Sequence, residues 1–100
     1  MKQHYCSQET ANLLKDKGIE LGEKPTLQEV WEWLYDKGIF ISVSPYYATE
    51  EEPFRWEVNK RQEGHWGGSA TYYAPEKSGD ASTQEAALEQ AIQWTLKNLI

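Results

Sequence analysis

The chain has 100 residues, 39% of them hydrophobic and 26% charged, with five Trp, six Tyr and two Phe. That length supplies one core, and the aromatic content excludes a disordered chain. Sixteen Asp and Glu against ten Lys and Arg leave a net charge of -6, a field that repels phosphate backbones and anionic membranes at long range and disfavours nucleic acid as a partner.

The single cysteine, Cys6, excludes an internal disulfide and a multi-cysteine metal site, and it suits a cytoplasmic location. The polar residues after Met1 lack the apolar stretch of a secretory signal, and no run approaches membrane-spanning length.

A first helix is expected over 7–17, with Ser7 as its cap, Glu9 in the favourable acidic first turn and Leu13 and Leu14 on the buried side. Gly18 supplies a left-handed stop and Ile19 the contact after it. A second helix, over 26–37, is marked by a capping box of Thr26 and Glu29 behind Pro25 and by Leu27, Val30, Trp31 and Leu34 at helical spacing. It ends at Gly38 by the same device, and shared helix-stop chemistry explains why 34–39 parallels 14–19 without a repeat.

From Ile39 the period becomes two. Ile39, Ile41 and Val43 oppose Phe40, Ser42 and Ser44, giving a strand over 39–44 closed by Pro45. Alternation resumes with Phe54, Trp56 and Val58 against Arg55, Glu57 and Asn59, a second strand over 54–61 antiparallel to the first. The glycines Gly64, Gly67 and Gly68 mark a hairpin turn, and a third strand is expected over 69–74. The polar stretch 76–81 reads as a loop. Ser82 and Glu85 then read as a capping box for a final helix over 83–99, with Ala87, Leu88, Ala91, Ile92, Thr95 and Leu99 as its stripe and Trp94 and Leu96 beside it. The expected fold is a single α+β domain over 1–100: an N-terminal helix followed by α-β-β-β-α, with a three-stranded antiparallel sheet packed by helices on one face.

From Thr26 onward this order resembles the double-stranded-RNA-binding domain. Phe54-Arg55-Trp56-Glu57-Val58 falls at that family's second strand and Ser82-Thr83-Gln84-Glu85-Ala86-Ala87 at the start of its closing helix. The resemblance implies a fold but not the family's binding. The closing-helix start carries no Lys or Arg, and the loop between the first two strands, Thr49-Glu50-Glu51-Glu52-Pro53, is acidic where duplex RNA demands cations. The whole chain is also similar to a group of short proteins encoded by gut Bacteroides and by their phages or integrated elements. The likeness rests on Glu9-Thr10-Ala11-Asn12-Leu13-Leu14-Lys15-Asp16-Lys17-Gly18, on Thr26-Leu27-Gln28-Glu29 with Trp33-Leu34, and on the ending from Glu85-Ala86-Ala87-Leu88 to Leu99-Ile100. It implies origin more than role.

Chemistry-bearing residues show no recognisable arrangement. His4, Cys6 and His65 lack the spacing of a structural zinc site, and Cys6 reads as a packing residue without an activating setting. Glu50, Glu51 and Glu52 read as a solvated face. No catalytic, metal or cofactor residue is assigned.

Surplus aromatics point instead to contact. Trp33 lies off the apolar stripe of its helix, and Phe40, Tyr46, Arg55, Arg61 and Tyr73 share the sheet face away from the core. The expected function is a non-catalytic accessory protein acting by protein–protein contact, with an unknown partner or itself as a homodimer, through Trp33, Phe40, Trp66 and Tyr73. Two alternatives stand beside it. One is nucleic-acid binding through Arg55, Lys60 and Arg61, and the other is an acidic mimic of nucleic acid that occupies a host protein.

Overall fold

The structure, a computed structural model, describes residues 5–22, 24–45, 50–63 and 71–100, with 62, 63 and 71–74 described by their backbone alone. Helices α1 (Gln8–Asp16) and α2 (Leu27–Asp36) precede strands β1 (Ile39–Pro45), β2 (Phe54–Glu63) and β3 (Thr71–Ala81), and helix α3 (Gln84–Asn98) follows. The strands form one antiparallel sheet in the order β1-β2-β3, so the fold is α+β as its residue pattern demands.

The helix ends follow their local chemistry. The Ser7 hydroxyl accepts the Thr10 N–H at 3.3 Å. At α2 the Thr26 hydroxyl accepts the Glu29 N–H at 3.1 Å while the Glu29 carboxylate accepts the Thr26 N–H at 3.3 Å, satisfying two helix-end donors reciprocally. Gly18 takes a φ of 71°, which lets the Ile19 N–H turn back to the Leu14 carbonyl at 2.9 Å and buries the Ile19 side chain.

Alternation along β1 and β2 turns Ile39, Ile41, Trp56 and Val58 toward the helices, where they meet Val30 and Leu34 of α2 and Ala87, Ala91, Ile92 and Leu96 of α3. Each large aliphatic side chain among them contributes about 1.5–3 kcal/mol of burial. Leu96, expected beside the α3 stripe, is fully buried within it. Helix α3 packs across all three strands, α2 lies against β1 and α3, and α1 lies against α3.

The α1–α3 contact is polar at its centre. Thr10 is fully buried; its hydroxyl donates to Glu89 Oε1 at 2.5 Å and accepts from Gln93 Nε2 at 2.9 Å, while the Ser7 N–H donates to the same Glu89 oxygen at 2.8 Å. A carboxylate thus faces the first turn of α1, where the helix dipole favours negative charge. This network places α1 on α3 and not across the outer sheet face.

The third strand departs from expectation. Residues 76–81, read as a loop, continue β3 to Ala81, with Lys77 opposite Val58, Gly79 opposite Trp56 and Ala81 opposite Phe54. The first half of β2 has backbone groups on the side away from β1, and this polar segment pairs with them. A bulge between Val58 and Asn59 moves the pairing from Lys77 to Pro75, leaving Glu76 as the extra residue. Gly79 is required there. A Cβ on it would lie 2.5 Å from the Trp56 ring, so its bare backbone lets the indole lie across β3 and donate from Nε1 to Gln90 Oε1 at 3.1 Å. The α3 cap also moves by one residue, because the Thr83 hydroxyl, not that of Ser82, accepts the Ala86 N–H at 3.0 Å. Among the described residues no helix is long and apolar enough to cross a membrane.

Candidate interaction surface

Residues of α2 are set about 100° apart around the helix, so Trp31 and Trp33 fall on opposite flanks of the buried stripe of Leu27, Val30 and Leu34. Trp31 faces the edge of the sheet. Its indole Nε1–H donates to the Ile41 carbonyl of β1 at 2.7 Å, occupying a backbone acceptor on the side of β1 away from β2. Tyr35, one turn on, stacks on Trp31 with ring centroids 5.5 Å apart at 15°.

Phe40 points by alternation away from the helices, yet its ring reaches both side chains round the β1 edge. It lies 5.9 Å from Trp31 at 70° and 6.1 Å from Tyr35 at 73°. Edge-to-face pairs of this kind contribute about 0.5–1.5 kcal/mol each beyond burial. Tyr35 nonetheless stays 45% exposed, so the cluster is a surface feature.

Beside it runs a groove of about 220 Å³ lined by Gln28, Trp31, Ile41, Val43 and Leu88. That is smaller than the roughly 300–1,000 Å³ of small-molecule pockets and larger than the about 150 Å³ that takes a benzene ring. It has room for an apolar side chain of a partner.

Of the expected contact residues, the structure gathers few. Trp33 is half-buried on the other flank of α2, with the Lys37 ammonium 5.2 Å from its ring centroid, and it does not join Phe40. Tyr73 pairs with Arg61 through the backbone of β3, and its side chain is not among those described. Trp66, with His4, Tyr46 and His65, lies outside the described residues. Trp31 and Tyr35 were missed as contact residues, although their i, i+4 spacing was a signal that they could stack.

The basic residues do not form one patch. Arg55 and Arg61 alternate to the face away from the helices, whereas Lys60 alternates to the other. The two arginines are six positions apart, about 20 Å along a strand. Between them stands Glu57, and Arg55 Nε lies 3.7 Å from Asp80 Oδ1 of its cross-strand neighbour. The Arg61 side chain rests against Gly38, where a Cβ would lie 3.3 Å from its Nε.

Cys6 is held by a 2.9 Å bond from its N–H to the Pro25 carbonyl. Its thiol is pushed up from 9.0 to about 11, first by burial and then by the charges of Glu89 and Glu29. This is the reverse of an activated nucleophile, which needs an electropositive setting. The thiol lies beside a second cavity of about 370 Å³ lined by Tyr5, Cys6, Gln8, Ala11, Lys24 and Pro25. Among the described residues no three His, Cys, Asp or Glu side chains are grouped to hold a metal ion.

Compared with known proteins, the chain matches no family model, no curated protein and no solved structure.

Proposed function

We propose that this protein is a non-catalytic accessory protein that works by protein–protein contact, and that its contact surface is the α2–β1 edge. The observation that carries the reading is the cluster of Trp31, Tyr35 and Phe40, packed ring against ring with Tyr35 open to solvent, beside an apolar groove. Packed aromatic anchors next to a side-chain-sized recess are what interface hot spots use. The mobile-element origin that the sequence resemblance implies would accord with an accessory role, and the lone half-buried thiol accords with the cytoplasm.

The test is site-specific photo-crosslinking in cells, with a benzophenone amino acid at Tyr35 and, as a control, at the exposed Lys97 of α3. A discrete crosslinked protein from position 35, absent from position 97 and removed by Phe40→Ser, is the expected outcome. No product at 35, or the same product at 97, would sink the reading.

A further inference from the structure

Resting on that reading of the α2–β1 edge, we propose that its occupant is a basic amphipathic helix of a partner protein, seated with apolar side chains in the groove. Three observations select this occupant. The first is shape, since Trp31, Ile41, Val43 and Leu88 form an apolar recess with one polar side chain, Gln28, at its margin. The second is the state of the β1 backbone. Because the Trp31 indole already occupies the Ile41 carbonyl, a partner strand cannot extend the sheet at that position. A helix does not need that acceptor, since it engages through side chains at i, i+3 or i+4 and i+7.

The third observation is charge. Gln28 Nε2 donates to Glu32 Oε1 at 3.2 Å, which places an exposed carboxylate beside the recess. Glu85 precedes Leu88 by one turn of α3. Glu50, Glu51 and Glu52 lead into β2 at the sheet end where Pro45 pairs with Phe54, the end toward which Val43 lies. No Lys or Arg occurs on α2, and none on α3 before Lys97. An apolar groove in acidic surroundings complements a partner with apolar side chains and cationic flanks, and this complementarity supplies orientation and on-rate. A second copy would instead bring its own net charge of -6 and its own Glu32 against the first.

The experiment titrates the full chain, by fluorescence anisotropy at about 50 and 200 mM salt, into three labelled peptides of about 18 residues, five helical turns. One is a Leu/Lys sequence with Leu at helical spacing, one is its scramble of equal composition, and one is a Leu/Glu counterpart. The patterned Leu/Lys peptide is expected to bind about tenfold or more tighter than its scramble at the higher salt, with amide shifts centred on Gln28, Trp31, Val43 and Leu88. Glu32→Lys combined with Glu51→Lys, both at exposed positions, is expected to weaken it by about tenfold.

Equal binding of the scramble, indifference to the charge reversals, or no binding of the patterned peptide overturns the proposal. Tighter binding of the Leu/Glu peptide in the same groove overturns the basic partner and leaves the contact surface standing. So does a concentration-dependent dimer broken by Glu32→Lys. Loss of the crosslink at position 35 removes the surface itself.

Discussion

Replacing Gly79 by Ala gives a sharp test of the packing, because the ordinary expectation has the opposite sign. In a strand interior this change usually stabilises by roughly 0.5–1 kcal/mol through lost chain freedom. Here the new methyl would stand 2.5, 2.6 and 2.7 Å from Cζ2, Cε2 and Nε1 of Trp56, about 1 Å inside normal contact. The ring has little room to yield, since it is 6% exposed and its Nε1–H is bound to Gln90.

Overpacking costs about 1–3 kcal/mol, and losing the indole hydrogen bond adds about 0.5–1.5 kcal/mol. After the gain from lost chain freedom is subtracted, a net loss of about 0.5–4 kcal/mol is expected, which lowers Tm by about 2–20 °C in a domain of this size. Urea unfolding followed by far-ultraviolet circular dichroism measures it. Trp56→Leu removes the obstruction, so Gly79→Ala on that background should cost nothing or stabilise. A neutral Gly79→Ala in the native background, or the same cost with and without the indole, refutes the argument.

Further outcomes follow from Thr10 and Cys6. Thr10→Val keeps the shape but removes the hydroxyl that joins Glu89 to Gln93; it should cost about 1–3 kcal/mol, and hydrogen exchange should accelerate in α1 before the sheet. Because the Cys6 thiol is raised to about 11, its alkylation at about pH 8 should be up to about a hundredfold slower in the folded chain than in urea. The same shift has a stability consequence of definite sign. The contribution is complete below 9.0 and is lost as pH rises through about 11, so urea midpoints of the native chain and Cys6→Ala should converge or cross in that window.

Local chemistry made much of the fold legible. The Thr26–Glu29 capping box, the left-handed stop at Gly18 and the two-residue period of Ile39, Ile41 and Val43 each depend on neighbours in sequence, and each is present. What was hidden depends on partners far along the chain. Residues 76–81 contain Gly79 and Asp80, which punctuate loops, and become strand because Phe54 to Val58 offers them a ladder. Trp31 looked like one more core residue, since its hydrogen bond to Ile41 exists only once α2 lies along the β1 edge. Conversely, Trp33 and Phe40 looked like one surface in sequence and are parted by the turn of the helix, while Lys60 is parted from Arg55 and Arg61 by the alternation of β2.

The position of α3 bears on how the chain reaches this state. It touches every strand and both other helices, yet it follows them all in sequence. Until Gln84–Asn98 has been synthesised, α2 and β1 have only each other to pack against, the apolar face of β2 lacks the helix that covers it, and Thr10 has no Glu89. The chain therefore cannot complete its core from its N-terminal end alone. Its closing contacts join residues about eighty positions apart, so the last helix commits all the earlier elements together, at the slower pace that distant contacts impose.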